Sequence, residues 1–200
     1  MSELYKQHRP TDLKDVMGQA GAIKSLEKLL ENKSRFPHSL MLTGPSGCGK
    51  TTIARIIAKK FNCHKNDFFE YGDSDTRGID TVREISRKVK LIPLRGGTRF
   101  WLLDEAHLMT KDAQNSLLTI LEDKAPDHAY FILATTDPGK LITTIRNRCT
   151  EIKLGLLPTG SLREVVQRVL KAEGIKLTKS VIDKLLDTSY GSARKALVIM

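Results

Sequence analysis

Cysteine is scarce in this sequence and never paired. Cys48, Cys63 and Cys149 are odd in number, far apart and never in a C-x-x-C arrangement, which excludes a disulfide framework and gives no zinc site. The five histidines include no H-x-x-x-H pair, so no helical set of metal ligands is encoded. Long apolar runs are missing as well: stretches such as residues 130–134 fall far short of the ~18–20 residues of a membrane span. The opening MSELYKQHRP has no apolar signal core, so the expectation is a soluble, cytoplasmic protein in a reducing compartment. Repeats and low-complexity tracts are also lacking.

What is present is ordinary globular material with a basic excess. Hydrophobic residues make up 40% of the 200 and charged residues 28%, enough to bury a core, and the net charge of +10 favours polyanionic partners. Short apolar runs rich in β-branched and aromatic residues alternate with segments of helical period, the pattern of a parallel sheet with crossover helices. The predicted strands are 39–43, 68–71, 100–103, 129–134 and 151–154; the predicted helices are 21–32, 50–62, 79–90 and 112–123. A turn-rich stretch at 155–160 containing Pro158 ends the alternation, and only helical patterns follow, with Ser161 and Glu164 as a capping box and Thr178 as a second cap. The expected domains are therefore 1–154 and 155–200.

Gly44-Pro45-Ser46-Gly47-Cys48-Gly49-Lys50-Thr51 fits G-x-x-x-x-G-K-[ST], after a predicted strand and opening a predicted helix. Glycines let backbone N–H groups turn toward phosphate oxygens, the helix N-terminus adds positive potential, Lys50 reaches the outer phosphates and Thr51 is suited to Mg²⁺. Thr52 completes the first turn. The run Phe100-Trp101-Leu102-Leu103-Asp104-Glu105 ends a second strand in two carboxylates, Asp104 suited to the cation and Glu105 to polarising a water. Two carboxylates after a strand also form ordinary helix N-cap clusters; the phosphate loop gives these their meaning.

The order of these two motifs, then Leu133-Ala134-Thr135-Thr136-Asp137, Arg146-Asn147-Arg148-Cys149 and Gly191-Ser192-Ala193-Arg194-Lys195-Ala196-Leu197, resembles the AAA+ clamp-loader ATPases over nearly the whole chain. Residues 129–141 look most like the bacterial gamma/tau subunit, and residues 73–83 as much like small subunits of replication factor C. Tyr5-Lys6-Gln7-His8-Arg9-Pro10 and Val16-Met17-Gly18-Gln19 match the family segment that lies against the adenine. The resemblance implies an α/β AAA+ domain with strand order 5-1-4-3-2, a small helical lid, ATP and Mg²⁺ as ligands, and other clamp-loader subunits, a sliding clamp and primer-template DNA as partners. Arg9, Pro10, Val16, Met17 and the loop from Gly44 to Thr52 would bind nucleotide. It further implies that Thr136 acts as sensor 1, Arg194 as sensor 2 and Arg148 as an arginine finger for a neighbouring subunit's site. Taken alone, a threonine ending a strand is a strand residue and a lone arginine a surface charge.

On a helical wheel Arg83, Arg87 and Lys90 share one side while Ile79, Val82, Ile85 and Val89 share another; the basic side resembles the family surface that follows the DNA backbone, and a merely solvated face has the same pattern. Arg77 matches a position that couples DNA contact to the acidic strand end. The chain departs from the family in Asn147, where a serine is usual, in keeping only Cys63 of a four-cysteine zinc module, so that no zinc is expected, and in reaching Met200 without a collar domain. The expected activity is ATP hydrolysis in clamp loading. The alternatives are another AAA+ DNA enzyme, such as a branch-migration motor, and a non-hydrolysing nucleotide-binding scaffold.

Overall fold

The computed structural model describes residues 3–72, 78–93, 97–122 and 125–200. Five strands, β1 (Ser39–Thr43), β2 (Phe68–Tyr71), β3 (Arg99–Leu103), β4 (Ala129–Thr135) and β5 (Thr150–Lys153), form one sheet of order β2-β3-β4-β1-β5, with every pairing parallel. Counted from the other edge this is the expected 5-1-4-3-2. All residues of β1, β3 and β4 are buried, as strands covered on both faces must be, and each reads as a continuous apolar run for that reason.

Side-chain alternation assigns each face its helices. Leu40 and Leu42, Phe100 and Leu102, and Tyr130, Ile132 and Ala134 meet α2 (Ala20–Leu30) and α3 (Lys50–Lys60) through Leu26, Ile53, Ile56 and Ile57. Met41, Trp101, Leu103, Phe131 and Leu133 point the other way, onto α4 (Ile79–Val89), α5 (Lys111–Glu122) and α6 (Thr143–Arg148) through Val82, Ile85, Leu117 and Ile145. Buried Arg99 is tolerated because Asp67, also buried, accepts from its Nε at 2.9 Å and its Nη2 at 2.6 Å.

After β5 come three helices, α7 (Thr159–Glu173), α8 (Lys179–Ser189) and α9 (Ala193–Ile199), around an apolar cluster of their own that includes Leu162, Val166, Leu170, Leu186 and Ala196. A short N-terminal helix, α1 (Leu4–Gln7), lies against α9. One capping expectation is corrected: α7 starts at Thr159 directly after Pro158, whose fixed extended backbone launches the helix, so Ser161 is inside the first turn and makes no cap bond with Glu164. Thr178 does occupy the N-cap position of α8, without a side-chain bond.

Candidate functional site

The parallel register brings the C-terminal ends of β1, β3 and β4 together, the edge where open α/β sheets hold ligands. The loop from Gly44 to Gly49 leaves β1 there. Gly44 has φ +148°, and a Cβ on it would come within 2.2 Å of the Leu154 carbonyl oxygen; Gly47, at φ +76°, presses so closely on the last helix that a Cβ would stand 2.3 Å from Ser192 Oγ. Lys50, 5% exposed, donates through Nζ to the carbonyls of Gly44 (2.8 Å) and Pro45 (3.1 Å). The loop thus closes on its own ammonium group, which keeps a buried charge hydrogen-bonded and poised at the phosphate cradle.

Thr51, next in α3, donates to Asp104 Oδ2 at 2.8 Å, so two hard oxygen donors suited to a small divalent cation stand side by side. Among the described residues no group of three His, Cys, Asp or Glu is arranged to hold a metal. Asp104 N donates to the Tyr71 carbonyl (2.9 Å), and Asp104 Oδ1 accepts from Glu105 N (3.0 Å), which fixes the first carboxylate. Glu105 is left-handed (φ +47°, ψ +47°), an uncommon setting for a residue with a side chain, and its Oε2 accepts from Thr136 Oγ1 at 3.1 Å. The predicted sensor 1 threonine and the predicted base are therefore in contact although 31 residues apart.

A crevice between this edge and the last three helices is lined by Arg9, Pro10, Val16, Met17 and residues 46–52, together with Asp104, Glu105 and Arg194. Gly44 and Pro45 hold Lys50 from behind and do not line it. Val16 packs on the sheet core and its neighbour Met17 on the helical one, so this stretch bridges the two clusters. Arg9 Nη1 is buried without an acceptor, and burial, with Arg55 and Arg194 as like charges, pulls this guanidinium below its ordinary range. An orphaned donor in the wall of an apolar, basic crevice suits an anionic ligand with a flat apolar part. Arg194 lies 5.0 Å from the ring centroid of Tyr5.

Several wall residues escaped the sequence reading: Leu157 from the segment after β5, and Arg168 and Val169 from α7, and no local period encodes their convergence with Tyr5 and His8 of the matched N-terminal segment. Gln19, 6% exposed, is another. It donates through Nε2 to the carbonyls of Cys48 (3.3 Å) and Gly155 (2.7 Å) and accepts from Gly155 N (3.1 Å), tying the loop to the segment joining the sheet to the last three helices. The family match at Val16-Met17-Gly18-Gln19 was the available signal.

Other predicted residues lie elsewhere. Arg148, at the end of α6, is away from the crevice, exposed, and paired with Glu122 at 2.5 Å. Arg83, Arg87 and Lys90 are exposed on the side of α4 opposite Val82, Ile85 and Val89; Arg83 pairs with Asp80 at 2.9 Å. Arg77 lies outside the described residues. Burial pushes the Cys63 thiol up to about 11 and the Cys149 thiol to about 12, and raises that of Cys48 in the loop.

A family model described as the delta subunit of DNA polymerase III matches residues 68–157, and one for the magnesium chelatase subunit ChlI matches residues 12–74. Among curated proteins, the gamma/tau subunit of DNA polymerase III from Mycobacterium tuberculosis is 30% identical over 98% of this chain and 38% of its own length. The tau subunit from Escherichia coli is 31% identical over 97% and 33%. The replication factor C small subunit from Methanococcus vannielii is 35% identical over 98% and 62%. The chain spans between about a third and under two thirds of these relatives. Among solved structures, the RuvB Holliday junction branch migration motor of Thermotoga maritima superposes with a TM-score of 0.78 at 26% identity, over 95% of this chain and 63% of that one.

Proposed function

The chain belongs to the AAA+ clamp-loader ATPases, and on that premise we propose that it binds ATP with Mg²⁺ in the crevice between sheet and lid and hydrolyses it while a sliding clamp is loaded on primer-template DNA. One observation carries the reading: Lys50, Thr51, Asp104, Glu105 and Thr136, from separate stretches of sequence, converge at one sheet edge. Lys50 and the loop amides bind the phosphate oxygens. Thr51 and Asp104 would hold the cation, which supplies charge neutralisation at the phosphates. Glu105, held by Thr136, orients a water and takes its proton as the oxygen attacks the γ-phosphorus and the bond to the ADP oxygen breaks. Arg9, Pro10, Val16 and Met17 hold the base, and Arg194 reaches the phosphates from the lid formed by residues 155–200.

Arg148 is exposed and outside its own crevice, which supports a role in a neighbouring subunit's site, where its fork of donors stabilises charge on the transferring phosphoryl group. The exposed Arg83, Arg87 and Lys90 supply phosphate-backbone contacts without base reading, with Arg77 beside them in sequence. The likeness to RuvB supports a second reading, a branch-migration motor. The deciding experiment measures ATPase activity of the assembled complex with and without clamp and primed DNA. Stimulation by both supports clamp loading; a rate indifferent to clamp but raised by branched DNA supports the motor.

A further inference from the structure

Beside Glu105 stands a polar side chain to which the proposed hydrolysis assigns no task. His107 belongs to the tight turn Ala106–Leu108 that follows the acidic pair, a turn fixed by Leu108 N donating to the Glu105 carbonyl (2.9 Å) and Met109 N to that of Ala106 (3.2 Å). Its side chain is 11% exposed. Nδ1 lies 3.3 Å from Glu105 Oε2 and 3.1 Å from Thr135 Oγ1. Thr135 is fully buried in β4, and its hydroxyl oxygen accepts from Asp137 N at 3.1 Å. The imidazole is thereby placed between a buried strand residue and a part-exposed carboxylate.

We propose that His107 is a positioning residue for Glu105, an assignment that rests on the hydrolytic reading above. In this arrangement the ring carries a proton on Nδ1 and shares it between Glu105 Oε2 and Thr135 Oγ1, the two acceptors in reach. Thr136 Oγ1 donates to the same Oε2, so one carboxylate oxygen is held by two donors from two elements. No donor among the described residues reaches Oε1, which is left to orient the water. Holding a base by two bonds selects one rotamer of a flexible side chain, and a left-handed backbone at Glu105 aims it there from the start. His107 touches neither phosphate loop nor base pocket, so its effect falls on the rate of the chemical step and not on nucleotide affinity.

The test uses the assembled complex, with its sites in excess over ATP, followed through a single turnover. His107→Ala is expected to slow hydrolysis roughly tenfold, the scale of losing one hydrogen bond to a charged group, with ATP affinity unchanged. His107→Asn, whose side-chain nitrogen falls near the position of Nδ1, recovers most of the rate, and in a Glu105→Gln background His107→Ala has no further effect. Equal losses in the alanine and asparagine variants, or a fall in affinity that matches the fall in rate, overturn the proposal. A second arm needs no turnover: ¹⁵N spectra of the imidazoles, with His107→Asn assigning the signal, should show an Nδ1–H ring whose resonance moves in Glu105→Gln and in Thr135→Val. A ring protonated at Nε2 alone and indifferent to Glu105→Gln overturns it. If the wild type binds ATP but never hydrolyses it, the proposed activity falls, and the spectra still decide whether His107 holds Glu105.

Discussion

The crevice and the outer end of α6 are built on opposite principles. In the crevice every charged group of the phosphate loop and acidic strand is held by short-range partners: Lys50 by two carbonyls, Asp104 by Thr51, Glu105 by Thr136. At the other end Arg148 has one exposed carboxylate partner, Glu122, and a bond to the Thr144 carbonyl at 3.2 Å. An exposed pair of that kind contributes about 0–1 kcal/mol, so releasing Arg148 toward another molecule costs little. The contrast teaches that the groups proposed to handle the chain's own nucleotide are pre-organised, and that the arginine proposed to serve another's is kept available.

The largest expected effect tests that availability. In the assembled complex Arg148→Ala should lower the hydrolysis rate by ~10³-fold or more, as removal of such a residue does in related phosphoryl-transfer systems, while leaving nucleotide binding intact. A mixture of Glu105→Gln and Arg148→Ala chains should regain part of the rate, because an intact Glu105 can then meet an intact Arg148 across a boundary. An isolated chain, verified as monomer by light scattering, that matches the complex in rate would erase the comparison. Next comes Lys50→Ala, expected to weaken ATP binding about a hundredfold by calorimetry through loss of a charge-assisted contact to phosphate.

Gln19→Ala leaves the loop carbonyl and the backbone of Gly155 without their partner and should cost about 1–3 kcal/mol in denaturant unfolding. Joint neutralisation of Arg83, Arg87 and Lys90 should reduce the salt slope of DNA binding by up to ~3, uniformly across unrelated sequences; an unchanged slope makes this a solvated face. The smallest effect concerns the thiols. Cys48 and Cys149 stand at the two ends of the comparison, and burial raises both above the ordinary thiol range, so alkylation at pH 8 should be slow in the native protein. It should quicken as pH climbs, for Cys149 up to about 12. Bound ATP should slow Cys48 further and leave Cys149 as it was.

The regular part of the fold was legible in the sequence because buried parallel strands and amphipathic helices each write a period. The strands lie within a residue of their expected limits at every edge, from Ser39 in β1 to Lys153 in β5, and α4 keeps Val82, Ile85 and Val89 inward. The glycine-rich turn and the acidic pair that meet at one sheet edge were legible because their spacing is local. Leu157, Arg168 and Val169 were not, since they reach the crevice only through the packing of the last three helices. His107 was hidden for a related reason: its partners Glu105 and Thr135 lie on different strand ends. The misplaced capping box at Ser161 shows the limit of a local rule, which reads three-residue spacing but not the backbone that Pro158 imposes upstream.

Trp101 gives the molecule a built-in optical reporter with a narrow view. It is the only tryptophan, fully buried in β3, stacked on Phe69 at 5.9 Å and Phe131 at 5.0 Å between ring centroids. With its indole N–H in a dry setting and on the sheet face away from α3 and the phosphate loop, its emission should be blue-shifted and should register melting of the central sheet. The crevice instead has Tyr5 beside Arg194 on the last helix. Excitation at a wavelength absorbed by tryptophan alone thus follows the sheet, and a dye placed near Tyr5 would follow the lid, so the two parts of one small chain can be watched separately as it melts.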